Sequence, residues 1–186
     1  MVRYLKKRSI NNLKLRKATM ADFDQIMTIL KDGANQLAER GVDQWQGDYP
    51  SKAQIKEDIE HGSAYLASSA DNETIGAISI VNAPDHAYDK LVGQWLCNTG
   101  KYVVIHRVAI HSNYAGKGYA TELLSSVINY ILDNRTDIDS IRIDTHEDNK
   151  AMQHLINKMG FTRVGTLHGV YRPNETSYVY ELKSNN

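Results

Sequence analysis

The sequence predicts a mixed β-sheet with helices packed against it, a fold of the α/β or α+β class. Three observations support this prediction. Strand-like and helix-like segments follow one another in the order β-α-α-β-β-β-α-β-α-β-β. The run Tyr102–Ile110 is β-prone and apolar on both faces, which is typical of a central strand covered on both sides. The segment that follows it carries apolar residues at helical spacing, as a helix packed on a sheet does.

The composition is that of an ordinary globular protein. The chain has 186 residues, is 41% hydrophobic and 24% charged, and so does not resemble a disordered, collagenous or coiled-coil chain. Its formal net charge is zero, so no overall field directs it to nucleic acid or membranes. Cys97 is the only cysteine, which excludes a disulfide framework. No apolar run approaches the ~20 residues of a membrane helix, and we expect a cytoplasmic protein.

The first 17 residues are strongly basic. They hold seven of the 22 Lys and Arg side chains and no acid, which leaves the rest of the chain acidic overall. We expect residues 1–12 to form a basic extension and residues 13–186 to form a single domain. A solvated tail is the commoner role of such a segment, and contact with nucleic acid is the less favoured alternative.

Helix and strand signals alternate along the N-terminal part of the chain. Leu13–Lys17 predicts a short strand. Thr19 then forms a capping-box pattern with Asp22 and opens a helix that should stop near Gly41. Ser51 opens a second, shorter helix in the same way.

The hydrophobic period then changes to that of strands. Ala64–Ser68 and Thr74–Val81 flank a polar turn and predict a hairpin. Residues 83–100 form a long connection in which we expect at most a short helix. After the central strand, Ala120–Leu132 predicts the clearest amphipathic helix, and Asn149–Met159 predicts another. The remaining predicted strands are Ser140–Thr145, Thr162–Val170 and Ser177–Leu182.

A loop with two glycines joins the central strand to the clearest helix. Gly116 and Gly118 let the backbone turn tightly and approach a ligand without obstruction by a Cβ atom. The free N–H groups and the positive dipole end of the helix that follows predict an anion site, for which phosphate is the expected ligand. The loop lacks the Walker A pattern, and Thr121 replaces the third glycine of a dinucleotide fingerprint. A turn that needs glycine only for packing remains the alternative.

Two segments resemble sequence motifs of a known family. R-V-A-I followed by A-G-K-G-Y-A-x-x-L-L resembles motif A of the GNAT superfamily of N-acetyltransferases, and Asn149 to Phe161 is similar to its motif B. The order of elements agrees from Leu13 to Leu182. The resemblance implies the GNAT fold, which has a mixed, mostly antiparallel central sheet of about seven strands flanked by helices. It also implies acetyl-CoA as co-substrate, and we expect no metal site.

The resemblance also implies which residues hold acetyl-CoA. Backbone groups of Val108, Ala109 and Ile110 would pair with the pantetheine arm like an added strand. Asn149 would reach the coenzyme from the neighbouring helix. Ala115 stands where the family's motif A opens with Arg or Gln, which removes one side chain near the phosphates. The pyrophosphate would be held by backbone N–H groups of Gly116, Lys117, Gly118, Tyr119, Ala120 and Thr121.

Acetyl transfer to an amine needs a base, and His106 is the first candidate. Some GNAT members that acetylate arylalkylamines place a base histidine at a similar position, and imidazole titrates near neutrality. A histidine hydrogen-bonded inside the sheet is the alternative, and Glu147 is a second candidate base. Ile156 stands where many members keep a tyrosine as general acid, so solvent or Tyr171 would protonate the leaving thiolate.

The acceptor site is expected near the aromatic loop between the first two helices. Trp45, Tyr49 and Trp95 are the candidate substrate-binding residues, although large aromatics also pack at the edge of a core. We expect direct attack by the primary amine of a small molecule or a peptide in a ternary complex, with a backbone N–H near Val108 holding the oxyanion. A non-catalytic acyl-CoA sensor is the alternative function. An exposed edge on the C-terminal strand would allow a homodimer.

Overall fold

Eight strands form one sheet within residues 13–184, the part of the chain that this computed structural model describes. The expected basic extension, residues 1–12, lies outside the described residues. The strands are β1 (Lys14–Lys17), β2 (Ala64–Ser68), β3 (Thr74–Asn82), β4 (Val92–Gly93), β5 (Tyr102–Ile110), β6 (Ser140–His146), β7 (Thr162–His168) and β8 (Thr176–Lys183). The α-helices are α1 (Phe23–Glu39), α2 (Lys52–Glu60), α3 (Tyr119–Asn134) and α4 (Lys150–Lys158).

The sheet order is β1-β2-β3-β5-β6-β8-β7-β4. Every neighbouring pair is antiparallel except β5 and β6, which confirms the predicted mixed, mostly antiparallel sheet. The eighth strand, β4, has two residues and lies in the long connection, where the expected short helix is the 3₁₀ turn His86–Lys90. The expectation of a free C-terminal edge is wrong, because β8 pairs with β6 on one side and β7 on the other.

The capping signals in the sequence produce the helix starts seen in the structure. Thr19 and Asp22 form the predicted capping box around a short 3₁₀ turn, and α1 begins at the next residue. The Ser51 hydroxyl accepts the Gln54 N–H at 3.1 Å and caps α2. The side chain of Asn149 accepts the N–H of Met152 at 3.1 Å and caps α4 in the same way.

Helices cover both faces of the sheet, as the apolar faces of the central strand require. Alternate residues of β2 show the division, because successive side chains of a strand point to opposite faces. Tyr65 and Ala67 belong to the core cluster that contains the buried face of α3, including Leu123. Leu66 belongs to a second cluster with buried residues of α1 and α2, such as Leu30.

The two central strands part halfway along their length. β5 pairs with β3 as far as Ile110, but it pairs with β6 only from Tyr102 to Ile105. Just beyond that point Arg107 has a φ of +53°, and the register between β5 and β3 shifts. This is a β-bulge, which bends the strand that carries it. No described strand pairs with the β6-facing edge of β5 beyond Ile105.

A buried ion pair holds the bulge in place. Arg107 Nη2 lies 2.6 Å from Asp58 Oδ2, and the two side chains are 6% and 5% exposed. Ser79 on β3 accepts from Arg107 Nε at 3.2 Å and donates to the same carboxylate at 2.8 Å. Arg107 Nη1 donates to the Tyr49 hydroxyl at 3.2 Å. The bulge, α2 and the aromatic loop are therefore joined through one guanidinium.

Asp58→Asn should lower the free energy of unfolding by roughly 3–5 kcal/mol, because it leaves the Arg107 charge buried without its partner. Asp137→Asn is the matched control, since Asp137 pairs with Arg135 but is 66% exposed, and it should have little effect. Urea unfolding of the two variants measures both values. Similar small losses in both would contradict the role given to Asp58.

Candidate active site

The separation of β5 from β6 opens a cavity of about 230 Å³. One part of its wall consists of Val108, Ala109 and Ile110 on β5 together with Ala120 on α3 and Asn149 at the start of α4. The remaining wall carries polar and aromatic side chains from β5, β6 and the loops that follow α1 and β7. These include Trp45, Tyr49, His106, Asp144, Tyr171 and Glu175.

The glycine loop has the conformation expected of an anion site. Gly116 and Gly118 have φ values of +75° and +84°, which residues with a Cβ rarely adopt. Gly118 is the N-cap of α3, and the N–H groups of the first helical turn have no acceptor within the helix. Among the described residues, no turn or loop carbonyl accepts from the N–H groups of residues 116–121. These exposed donors fit a pyrophosphate.

Side chains from α1 and the aromatic loop hold the cavity wall on the side of Ile110. Gln36 Nε2 donates to the Ile110 carbonyl at 2.9 Å, which pins α1 to the end of β5. Gly33 allows this close approach, because a Cβ there would lie 3.3 Å from both the Ala109 side chain and the Trp45 ring. Asn149 lines the cavity, and its Nδ2 donates to Gln44 Oε1 at 2.8 Å.

His106 lines the cavity and is held by a carboxylate. Its Nε2 lies 2.7 Å from Asp85 Oδ2, and the imidazole side chain is 12% exposed. Burial opposes ionisation of Asp85, but the hydrogen bond and charge of His106 outweigh it and lower the pKa of that carboxyl. Since an ionised carboxylate only accepts, Nε2 carries the proton. Nδ1 has no partner among the described residues, and it is therefore available as the basic nitrogen.

Asp144 lies beside the same histidine and is surrounded by tyrosines. The hydroxyls of Tyr88 and Tyr171 both donate to Asp144 Oδ1 at 3.0 Å. Burial raises the pKa of Asp144 above its ordinary value and raises those of Tyr88 and Tyr171 well above theirs. The carboxyl is therefore held at an energetic cost, which is common at functional sites.

Asp85 and Asp144 are site residues that the sequence did not predict. Asp85 lies in the long connection and Asp144 in β6, so both are distant in sequence from His106. Neither has a local motif around it, and no spacing rule brings a loop residue and two strand residues together. The only available signal is an acid, Asp144, inside a predicted strand.

Three of the predicted acceptor and acid residues meet in the cavity. Trp45, Tyr49 and Tyr171 all line it, and the rings of Tyr49 and Tyr171 are 6.0 Å apart between centroids. Trp95 does not line the cavity, because its ring stacks on the guanidinium of Arg142 at 3.5 Å. The Trp95 ring also lies 5.4 Å, between centroids, from the ring of Tyr88, whose hydroxyl donates to Asp144.

Two further predicted positions lie outside the cavity wall. Glu147 does not line it, and the backbone carbonyl of this residue accepts from Lys150 and Gln153. Ile156 is fully buried in the core. The α4 residues that do line the cavity are Ala151, Met152 and Leu155. None of these three side chains can donate a proton, so α4 supplies no general acid.

Residues 31–161 match the model of the acetyltransferase (GNAT) family. This match covers more than half of the chain. The chain belongs to the GNAT acetyltransferase family. The protein is therefore an acetyl-CoA-dependent acyltransferase, which favours an enzyme over the non-catalytic sensor, and enzymes of this family bind acetyl-CoA and an amine acceptor.

Solved structures agree with the family assignment. A GNAT-family acetyltransferase from Streptococcus agalactiae is 28% identical with a TM-score of 0.81, over 94% of this chain and 96% of that one. One from Listeria monocytogenes is 21% identical with a TM-score of 0.72, over 92% and 94%. Spermidine N-acetyltransferase from Vibrio cholerae is 16% identical with a TM-score of 0.67, over 92% and 95%, and shares the fold. No protein with a curated description matches the chain significantly.

Neither a metal site nor a membrane-spanning helix is found within residues 13–184. No group of three or more His, Cys, Asp or Glu side chains in this part of the chain has the arrangement of a metal site. No helix among the same residues has both the length and the apolar character needed to cross a membrane.

Gly118→Asn should weaken acetyl-CoA binding by roughly tenfold or more, because it places a side chain beside the N–H groups that fit the pyrophosphate. Asparagine tolerates positive φ better than a β-branched residue does, so the fold should persist. Gly62→Asn is the control, since Gly62 also has a positive φ (+65°) but lies in the turn between α2 and β2 and not at the start of α3. Calorimetric titration with acetyl-CoA should show normal affinity for the control. Equal affinities in both variants would contradict the assignment of this loop.

Proposed function

We propose that the protein transfers the acetyl group of acetyl-CoA to a primary amine, by direct attack within a ternary complex. The observation that carries this proposal is the continuity of the cavity. The free edge of β5 and the first turn of α3 border the same space as His106, which is paired with Asp85. Acetyl-CoA bound along β5 and an amine bound beside the imidazole would therefore meet directly, without an acyl-enzyme intermediate.

The position of the only cysteine supports direct transfer. An acyl-enzyme mechanism needs a nucleophilic side chain in the site, and a thiol is the most nucleophilic one available. Cys97 does not line the cavity. Its Sγ lies 3.6 Å from the Asp139 carbonyl, and its N–H donates to Glu181. Burial raises the pKa of this thiol, which further lowers its reactivity.

His106 is suited to remove the proton that blocks attack. An amine with a pKa around 10 is protonated near neutral pH and must lose a proton before its nitrogen can form a bond. Nδ1 of His106 has no partner among the described residues and would accept this proton. Asp85 holds the imidazole through Nε2 and would stabilise the imidazolium cation that forms. The free amine then attacks the thioester carbonyl, and the N–C bond forms. A backbone N–H near Val108 would stabilise the oxyanion.

The C–S bond then breaks and the thiolate leaves, while the nitrogen, which became positively charged in the attack, loses its second proton to solvent. A thiol pKa of about 8.5 makes the thiolate a tolerable leaving group without a strong acid. Tyr171, the side chain predicted to protonate the thiolate, lines the cavity, but its hydroxyl already donates to Asp144 and its pKa is well above the ordinary value. Solvent is therefore the better source of this proton.

His106→Gln should lower kcat by about 100- to 10,000-fold, the usual contribution of a general base. It should leave acetyl-CoA affinity unchanged, because the side chain contacts the acceptor side of the cavity. His168→Gln is the control, since this exposed histidine of β7 bonds only to Thr166 and Thr176. Thiol release with a responsive amine and calorimetry with acetyl-CoA measure the two quantities. Near-normal turnover in His106→Gln would remove this histidine from the mechanism.

A further inference from the structure

The charges around the acceptor part of the cavity are predominantly negative. Asp144 and Glu175 line it, and Asp85 lies directly behind His106. The nearby arginines are already neutralised. Arg107 pairs with Asp58 at 2.6 Å and Arg172 pairs with Asp43 at 2.7 Å.

One arginine of the cavity wall has no carboxylate partner among the described residues. Arg40 donates to Gln36 Oε1 at 3.2 Å, one turn along α1. Gln36 in turn bonds to the Ile110 carbonyl, so Arg40 belongs to the side of the cavity that fits the coenzyme. It does not offset the carboxylates near His106.

One oxygen of Asp144 is open to the cavity. Both tyrosine hydroxyls donate to Oδ1, and no described residue donates to Oδ2. Within residues 13–184, every side-chain nitrogen or oxygen that is sealed from solvent has a hydrogen-bond partner. Oδ2 must therefore be reachable from the cavity. A carboxylate oxygen in such surroundings is completed by a cation that also donates hydrogen bonds.

Aromatic rings surround the same space. Tyr49 and Tyr171 lie with their ring centroids 6.0 Å apart, and Trp45 also lines the cavity. Aromatic faces attract a cation and also bury an apolar body. The wall therefore offers a negative group for an ammonium and apolar surface for the carbon skeleton attached to it.

We propose that the acceptor is a small primary amine with no carboxylate next to its amino group, and that Asp144 binds its ammonium. This inference rests on the proposed acetyl transfer and names its substrate class. An α-amino acid would bring its own carboxylate close to Asp85, Asp144 and Glu175, where the described residues offer no unpaired lysine or arginine to receive it. Repulsion between like charges in a desolvated site makes the discrimination large.

The test compares amines with the amino acids that differ from them by one carboxylate. The pairs are phenethylamine with phenylalanine and tyramine with tyrosine. Thiol release should give a kcat/KM at least about 100-fold higher for the amine in the pairs that react. Equal or reversed preference, or preference for the N-terminus of a short peptide, would overturn this inference while leaving acetyl transfer in place. No thiol release with any of these compounds would overturn the proposed function and this inference with it.

Asp144→Asn tests the residue itself. Asparagine can still accept from both tyrosines but carries no charge, so KM for the amine should rise and the preference over the amino acid should narrow at least about tenfold. Asp148→Asn, at an exposed aspartate that does not line the cavity, should keep the preference of the parent enzyme. An unchanged preference in Asp144→Asn would overturn the role of Asp144.

A stability measurement separates this role from a structural one. Burial raises the pKa of Asp144 above its ordinary value, so ionisation of this group destabilises the fold as the pH rises through the range in which carboxyls titrate. Asp144→Asn should therefore unfold at a higher temperature than the parent at pH 7, and the difference should shrink towards about pH 4. A variant that is less stable than the parent at pH 7 would show that the carboxylate serves packing, which overturns the proposal.

Discussion

The separation of β5 from β6 is the structural constraint on which the rest of the site depends. Two parallel strands that stayed paired to their ends would leave no space between them and no free backbone edge. The bulge at Arg107 ends the pairing, and the ion pair with Asp58 makes this bend a stable feature of the fold. Because the same guanidinium also bonds to Tyr49, the element that opens the cavity also positions part of its acceptor wall.

Electrostatics divides the cavity into two parts with different chemistry. At the start of α3 the donors are backbone N–H groups and the helix dipole, which favour a phosphate. Around His106 the groups are carboxylates and tyrosine hydroxyls, which favour a cation. This division suits a reaction between an anionic acyl carrier and a cationic acceptor, because each substrate is attracted to its own end. It also agrees with the proposed role of His106 as the base.

The family match covers only part of the proposed acceptor site. The matched family region ends at Phe161, and so does not include Tyr171 or Glu175. The fold is shared with structures that are as little as 13% identical, and one fold hosts many substrates. The charges and aromatic rings around His106, contributed by the loops and by Asp144 on β6, therefore carry the information on the acceptor, and the shared fold does not.

Much of the fold was predictable because its signals are local. The central strand has the predicted bounds, and the caps at Thr19, Ser51 and Asn149 mark the helix starts, because periodicity and side-chain capping act over a few residues. The glycine loop and the two motifs likewise indicate the family through residues that lie close together in the chain.

The tertiary structure alone decided the composition of the site. Asp85, His106 and Asp144 come from a loop and two strands, and only strand pairing and the bulge bring them together. Trp95 and Tyr49 are chemically similar candidates in the sequence, but packing sends Trp95 onto Arg142 and leaves Tyr49 in the cavity. The interior position of β8 follows from strand order. The sequence by itself determined the elements and the family, because local periodicity and motifs encode them. The tertiary structure decided which charges meet, because contacts between distant residues leave no local pattern in the chain.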